Sequence, residues 1–303
     1  MHAGREIVDG VEDGNDDRHD DVVNHELFIR RHVIDGTRAG RPHRPTPRRL
    51  VDRMGDVVET TGEHVRERIL AIVPAWNEEQ NVGKTVAEIL SIGECDVVVV
   101  DDGSTDETTR VARDAGATVL TLPFNLGVGG AMRAGFVYAQ RKGYDKAIQV
   151  DADGQHNPED VARVVAGLEH ADISIGARFA DVGEYSVRGP RRWAMVVLAR
   201  VLSNVTKTRL TDVTSGFRAA NAKAIDQYVR YYPTEYLGDT IDSLVAASHA
   251  GLTVTQVPVA MRPRRHGKPS QNPLGATVYL LRSSFALTLA LLRGGGTQRQ
   301  VAS

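Results

Sequence analysis

The chain has 303 residues, enough for one large domain or two small ones around a substantial core. With 37 basic against 39 acidic side chains the net charge is −2, so whole-molecule charge predicts no nucleic-acid partner, and any membrane contact must come from a local patch. One cysteine, Cys95, excludes an internal disulfide framework, fits a reducing, cytoplasmic compartment, and reads as a small buried hydrophobe before a strand.

Residues 1–66 are unlike the rest. The stretch 1–29 carries nine acids against Arg5 and Arg18, whereas 30–53 carries eight arginines against Asp35 and Asp52. Arg41-Pro42-His43-Arg44-Pro45-Thr46-Pro47-Arg48-Arg49 can neither propagate a helix nor join a sheet. Low hydrophobicity and segregated charge predict a disordered charged tail, and Met54 is an alternative start. The first 20 residues lack an apolar core, so no signal peptide is expected.

From residue 67 the pattern becomes strand, helix, strand, helix. Apolar runs predict strands over 69–74, 97–100, 117–122 and 147–150. Helices are expected from 77 to 90, after Thr105 or Ser104 as a cap, and from about 125 to 141. Asn157-Pro158-Glu159-Asp160 starts a further helix to 169, with Asn157 as cap and Pro158 at the first helical position. Then follow a strand over 172–178, a helix over 190–206, a turn-rich return over 211–217, a helix over 234–250 and an alternating stretch over 252–261. A basic loop over 262–270 and an amphipathic closing helix over 274–293 end the pattern, and 294–303 is expected to be flexible. Arg282, Ser283 and Ser284 interrupt that last helix, so it does not read as a membrane span. This alternation predicts an α/β fold with a mostly parallel central sheet covered by helices on both faces. Ligands of such sheets sit beyond the carboxyl ends of the strands.

Three acidic or aromatic corners fall at those ends: Pro74-Ala75-Trp76, Asp101-Asp102 and Asp151-Ala152-Asp153. The last of these is decisive. An isolated Asp-X-Asp-Gly is an ordinary turn, but here an apolar run delivers both carboxylates to the expected ligand edge. Two carboxylates at one point suit a hard divalent cation that takes its other ligands from phosphate and water. Adjacent Asp101 and Asp102 are an odd choice for capping alone and can accept hydrogen bonds from a nucleobase or ribose. Gly127-Val128-Gly129-Gly130 is not a dinucleotide fingerprint, because the first strand-to-helix turn holds no glycines, and no Walker sequence occurs.

Pro74-Ala75-Trp76-Asn77-Glu78-Glu79, Val100-Asp101-Asp102-Gly103-Ser104-Thr105-Asp106, Asn125-Leu126-Gly127, Val150-Asp151-Ala152-Asp153-Gly154-Gln155-His156, Gly176-Ala177-Arg178 and Thr214-Ser215-Gly216-Phe217-Arg218 resemble, in order, the inverting family 2 glycosyltransferases of GT-A fold. Within these the chain looks most like the branch of dolichol-phosphate mannosyltransferase and polyprenyl-phosphate glycosyltransferases. The resemblance implies a GT-A domain over 67–293 acting on a nucleotide-sugar donor. It implies that Pro74, Ala75, Trp76, Glu78, Asp101, Asp102, Asn125, Gly127, Asp151 and Ala152 line the nucleotide-sugar site. Asp151, Asp153 and Gln155 would hold Mg²⁺ or Mn²⁺. Arg178, Ser215, Arg264, Arg265 and Lys268 would face phosphates. Val128 departs from the polar residue often found at its place.

Glycosyl transfer needs charge stabilisation on the leaving diphosphate and an aligned nucleophile. A hydroxyl acceptor would need a base, for which Asp239 or Asp242 is the candidate, alongside their reading as helix N-terminal charges. A lipid phosphate is already ionised, and Arg178, Arg188, Arg191 and Arg192 would position it. The helix over 190–206 is apolar on most of its surface with a basic rim, which fits either a core helix under a lid or a helix lying in a membrane interface. The expected reaction is metal-dependent sugar transfer from a UDP- or GDP-sugar to a polyprenyl phosphate, by a peripheral protein at the cytoplasmic membrane face. The alternatives are a soluble or polysaccharide hydroxyl acceptor, a sugar-1-phosphate nucleotidyltransferase and a non-catalytic nucleotide-binding scaffold.

Overall fold

The computed structural model describes residues 67–178, 190–233 and 238–263, without the side chains of 190–194 and 238–239. The expectations for the tail 1–66, the closing helix 274–293 and the terminus 294–303 lie outside the described residues. So do those for Arg188, Arg264, Arg265 and Lys268, and for the side chains of Arg191, Arg192 and Asp239.

Seven strands, β1 (Ile69–Ala75), β2 (Asp96–Asp101), β3 (Thr118–Thr121), β4 (Lys146–Gln149), β5 (Ile173–Ala177), β6 (Arg218–Asn221) and β7 (Val254–Pro258), form one sheet in the order β3-β2-β1-β4-β6-β5-β7. β6 runs antiparallel to both β4 and β5, and every other pairing is parallel. The helices are α1 (Val82–Ile92), α2 (Thr108–Asp114), α3 (Gly127–Lys142), α4 (Val161–Ala166), α5 (Pro190–Thr206), α6 (Ala222–Arg230) and α7 (Gly238–His249). This is the predicted α/β architecture, with one antiparallel strand inserted.

The two-residue period of a strand splits each apolar run between the sheet's faces. Leu70, Ile72, Val98 and Val100 join a core with residues of α3, α5, α6 and α7. Their neighbours Ala71, Val73, Val97 and Val99 pack with α1 residues Val82, Val86 and Ile89 and with α4. Full burial of each large aliphatic side chain stabilises by about 1.5–3 kcal/mol relative to exposure. Cys95 is only half-buried, and burial together with Glu94 and Asp96 pushes its thiol up to about 11, which disfavours the thiolate.

Local differences from the expected elements have clear causes. α1 starts at Val82 rather than at 77, because Asn77 takes a left-handed backbone, φ 53°, that a right-handed helix cannot hold, and the loop after β2 ties this segment in place. Asn77, Glu78 and Glu79 donate to Ser104 Oγ (2.9 Å), Thr108 Oγ1 (2.8 Å) and Asp106 Oδ2 (3.2 Å). Ser104 is thereby spent, and α2 begins at Thr108, whose N–H reaches Asp106 Oδ1 at 3.0 Å. The helix expected over 158–169 is three pieces, a 3₁₀ turn at Pro158–Asp160, α4, and a second 3₁₀ turn at Gly167–Glu169. Its cap is as expected: Asn157 Oδ1 accepts from Glu159 N–H at 3.3 Å. β6 and α6 have no counterpart in the sequence reading. Arg218-Ala219-Ala220-Asn221 has no β-branched residue and takes strand form through its pairing with β4 and β5. Asn221 then caps α6 by accepting from Ala224 N–H at 3.0 Å.

Candidate active site

The carboxyl ends of β1, β2 and β4 bring the first three corners together. Ala75 lies opposite Asp101 in the β1–β2 register, and the Asp102 N–H donates to Ala75 O at 2.8 Å. Pro74 is partly buried opposite Val100, while Trp76 turns outward with 54% of its surface exposed. Glu78 accepts from Asn81 Nδ2 at 2.7 Å. Asn77 sits at φ 53°, and its side-chain oxygen accepts from Thr105 N–H at 2.9 Å, which fastens the first loop to the second. Phe124, 57% exposed after β3, is a second outward aromatic at this edge that the sequence reading passed over.

The adjacent carboxylates have different duties. Asp101 is buried and is held by its own corner, accepting from Ser104 N–H at 2.9 Å and from the Thr109 hydroxyl. Asp102 is also buried, and its Oδ1 accepts from Leu126 N–H at 2.7 Å, just before α3. Asn125 Oδ1 takes the N–H of Gly127, the first residue of α3. Gly103 permits this approach: at φ +72° a Cβ would lie 2.8 Å from the Phe124 carbonyl carbon. Burial pushes the Asp102 carboxyl up to about 6, against the pull of the Leu126 and Gly127 N–H groups. A folded-state value above the unfolded one means that ionising Asp102 opposes folding, increasingly as pH rises from about 4 to about 6. Asp102→Asn keeps an acceptor for Leu126 and does not ionise. Its Tm relative to the parent chain is therefore expected to rise between pH 4 and 7 and to level off above, a trend that thermal melts across that range would check.

At the end of β4 the chain turns through Asp151-Ala152-Asp153-Gly154. Asp151 keeps 38% of its side chain exposed, and its Oδ1 accepts from Gln149 Nε2 at 2.9 Å. Asp153 is buried, and its Oδ1 takes the Gln155 N–H at 2.9 Å. Ala152 is buried between them, its carbonyl accepting from Thr85 Oγ1 at 3.0 Å. Arg262 N–H donates to Gln155 O at 2.9 Å, and the Arg262 guanidinium reaches Glu88 at 2.9 Å and Asn157. The turn is thus braced from both sides.

Residues 211–217 close the other wall. A Cβ on Gly216 would meet Gln149 Nε2 at 2.8 Å and the two Asp151 oxygens at 3.4 and 3.5 Å. Glycine therefore keeps the space in front of the Asp151 carboxylate open. Gly216→Ala is expected to weaken Mn²⁺ binding about tenfold by displacing the Gln149 amide. Titration of the Mn²⁺ paramagnetic signal checks this, with little change in metal-free Tm. Ser215 is buried, and its Oγ accepts from Phe217 N–H at 3.3 Å within the same loop.

Arg178, at the end of β5, is engaged with that loop. Its Nε and Nη2 reach Asp212 at 2.6 and 3.0 Å, Nη2 also reaches Thr214 Oγ1 at 2.6 Å, and its backbone N–H donates to Asp212 Oδ2 at 3.2 Å. Burial works to raise the Asp212 carboxyl, but the Arg178 guanidinium and the N–H groups of Arg178 and Thr214 outweigh it and hold the group below the usual carboxylate range. Arg218 is buried and donates to Ser215 O (2.7 Å), Val213 O (2.7 Å), Thr240 O (2.7 Å) and Ser243 Oγ (3.3 Å). It ties the loop to the first turn of α7, where Asp242 is exposed. Asp212, Gly216 and the role of Arg218 escaped the sequence reading. Their signal was the acid at 212, two residues before Thr214-Ser215-Gly216-Phe217-Arg218.

Among the described residues no group of three or more His, Cys, Asp or Glu side chains is arranged to hold a metal. The candidate centre is the pair Asp151 and Asp153 with Gln155 beside them. Its donor chemistry fits a hard cation such as Mg²⁺ or Mn²⁺, which needs only one or two carboxylates when phosphate and water complete the shell.

Residues 70–229 match glycosyl transferase family 2. An undecaprenyl-phosphate mannosyltransferase of Micrococcus luteus is 32% identical over 214 residues, 66% of this chain and 86% of the relative. A polyprenol monophosphomannose synthase of Mycolicibacterium smegmatis is 28% identical, over 66% of this chain and 80% of the relative. Among solved structures, glucosyl-3-phosphoglycerate synthase from Mycobacterium tuberculosis in complex with Mn²⁺, UDP and glucosyl-3-phosphoglycerate superposes with a TM-score of 0.55. That likeness covers 74% of this chain and 79% of the other at 23% identity. The chain belongs to glycosyl transferase family 2, and the sheet and helices are those of the GT-A fold.

Proposed function

We propose that this glycosyltransferase moves a sugar from a UDP- or GDP-linked donor to a polyprenyl phosphate, with inversion and with a divalent cation at Asp151 and Asp153. The observation that carries the reading is the Asp151 carboxylate standing open at the ligand edge of the sheet, with Gly216 leaving room before it and Asp153 buried two residues on in the same turn. Trp76, Asp102 and Asn125 border the same edge and offer an aromatic face and acceptors to a nucleoside. A cation bound there supplies Lewis-acid charge to the departing diphosphate. Asp151 and Asp153 hold it, Gln149 orients Asp151, and the loop 211–217 shapes the space where the donor lies.

The acceptor is inferred from the names of the relatives, an undecaprenyl-phosphate mannosyltransferase and a polyprenol monophosphomannose synthase. An ionised phosphate attacks without a base, so Asp239 and Asp242 need not act in proton transfer. Arg178, Arg188, Arg191 and Arg192 then serve as cationic contacts for the acceptor phosphate. No helix among the described residues is long and apolar enough to cross a membrane. On α5, Val196 is exposed and Val197, Val201 and Val205 are half-buried beside exposed Arg200, which supports contact with a lipid surface.

Incubation with radiolabelled UDP- and GDP-sugars, Mn²⁺ and polyprenyl phosphate tests the reading. Label passing into the organic phase is the expected result. Label found only on water-soluble hydroxyl acceptors would overturn the lipid-phosphate acceptor, and no transfer at all would overturn the donor assignment.

A further inference from the structure

We propose that His156 is a positioning residue for the cation-holding carboxylate Asp151, an inference that rests on the cation site proposed above. The sequence reading carried His156 within a motif and gave it no task. The ring is buried, 4% exposed, and lies flat against Phe217 with centroids 4.6 Å apart and planes 16° apart. Packing alone would need no nitrogen in that ring.

One ring nitrogen nevertheless has a partner in Asp151. His156 Nδ1 accepts the backbone N–H of Asp151 at 3.1 Å, and Nε2 lies 3.6 Å from Asp151 Oδ2. A neutral ring that accepts at Nδ1 carries its proton on Nε2. The N–H acceptance fixes the backbone of Asp151 and hence the direction of its Cβ. The Nε2–H points to the other side of the ring, so the 3.6 Å approach of Oδ2 is a packing contact and not a hydrogen bond. Gln149 holds Oδ1 at 2.9 Å, so Asp151 is fixed at its backbone by His156 and at its carboxylate by Gln149. Phe217 adjoins Gly216, whose missing Cβ leaves the front of Asp151 open. The His156–Phe217 stack therefore sets the separation between the carboxylate turn and the wall facing it.

Groups that orient metal ligands typically change metal affinity 10–100-fold when removed. The test measures Mn²⁺ affinity of the full chain from the paramagnetic signal of free Mn²⁺, with metal-free Tm as the fold control. His156→Phe keeps a ring against Phe217 but has no nitrogen, and a 10–100-fold weaker Kd is expected. His156→Asn places an amide oxygen where Nδ1 sits, and its Kd is expected between those of His156→Phe and the parent chain. Affinity unchanged in His156→Phe, or equally weak in both variants, would overturn the proposal. Should His156→Phe not fold, Phe217→Leu decides: a severalfold weaker Mn²⁺ Kd supports the proposal, and an unchanged one overturns it. A parent chain that binds no Mn²⁺, alone or with UDP or GDP, removes the cation site itself and is thereby distinguished from a failure of His156 alone.

Discussion

Asp153→Asn is expected to lower kcat for sugar transfer by about 10³-fold, as the removal of charge that stabilises a leaving group commonly does. The amide oxygen can still accept the Gln155 N–H that Asp153 accepts at 2.9 Å, so the turn keeps its shape and the metal-free Tm should stay close to that of the parent chain. What disappears is one of two negative charges on the proposed cation. Initial rates at saturating donor, with thermal melts alongside, separate the two effects. Full turnover in a folded Asp153→Asn protein would place the chemistry elsewhere or favour a purely scaffolding nucleotide site.

A second large effect is expected from Asp212→Ala, and it is one of stability. Asp212 has no exposed side-chain surface, and the Arg178 guanidinium bound to it is 18% exposed. Removing one partner leaves a mostly buried charge without its counter-charge, a loss of about 3–5 kcal/mol. The Thr214 N–H, 3.1 Å from Asp212 Oδ1, loses its acceptor as well. The carboxyl is held below its ordinary range, so its contribution is fully present above the unfolded value, about 3.9, and is lost as pH falls through the folded value beneath it. Urea unfolding should therefore show the full difference between the parent chain and Asp212→Ala at pH 7. The gap should begin to close only below about pH 4. A gap that closes near neutrality would mean that another group carries the pH dependence.

The Arg178 result also bears on the phosphate contact that family resemblance implies. The guanidinium is already bound by Asp212 and Thr214. Any contact with a phosphate must be made by an arginine whose direction that pair has set. Fixing a cation before the ligand arrives reduces the ordering cost of binding.

Legibility differed by region for physical reasons. The runs Ile69–Ala75 and Asp96–Asp101 were visible because a strand buried on both faces must be apolar along its length, and few loops can be. β6 was invisible because Arg218-Ala219-Ala220-Asn221 carries neither branched side chains nor alternation. Its strand form comes wholly from β4 and β5 on either side. The start of α1 was misplaced by several residues because Asn77 takes a left-handed backbone, φ 53°, in a loop tied to Ser104, Asp106 and Thr108, some 27 to 30 positions further on. The candidate site divided the same way. Asp101, Asp102, Asp151 and Asp153 were found from their places at strand ends. The gap kept by Gly216, the pairing of Asp212 with Arg178 and the contact of His156 Nδ1 with the Asp151 backbone were not.

The order of residues along the chain determined the α/β class, the identity of the strands that carry carboxylates, and the edge of the sheet at which they gather. Those properties depend on polarity and spacing within a few residues, which a sequence displays directly. Only the tertiary structure decided which carboxylates are spent within their own loops and which stand open. That outcome depends on partners such as Asp212 for Arg178, 34 positions away. Contacts over such distances are set by how the whole sheet is assembled rather than by any local pattern.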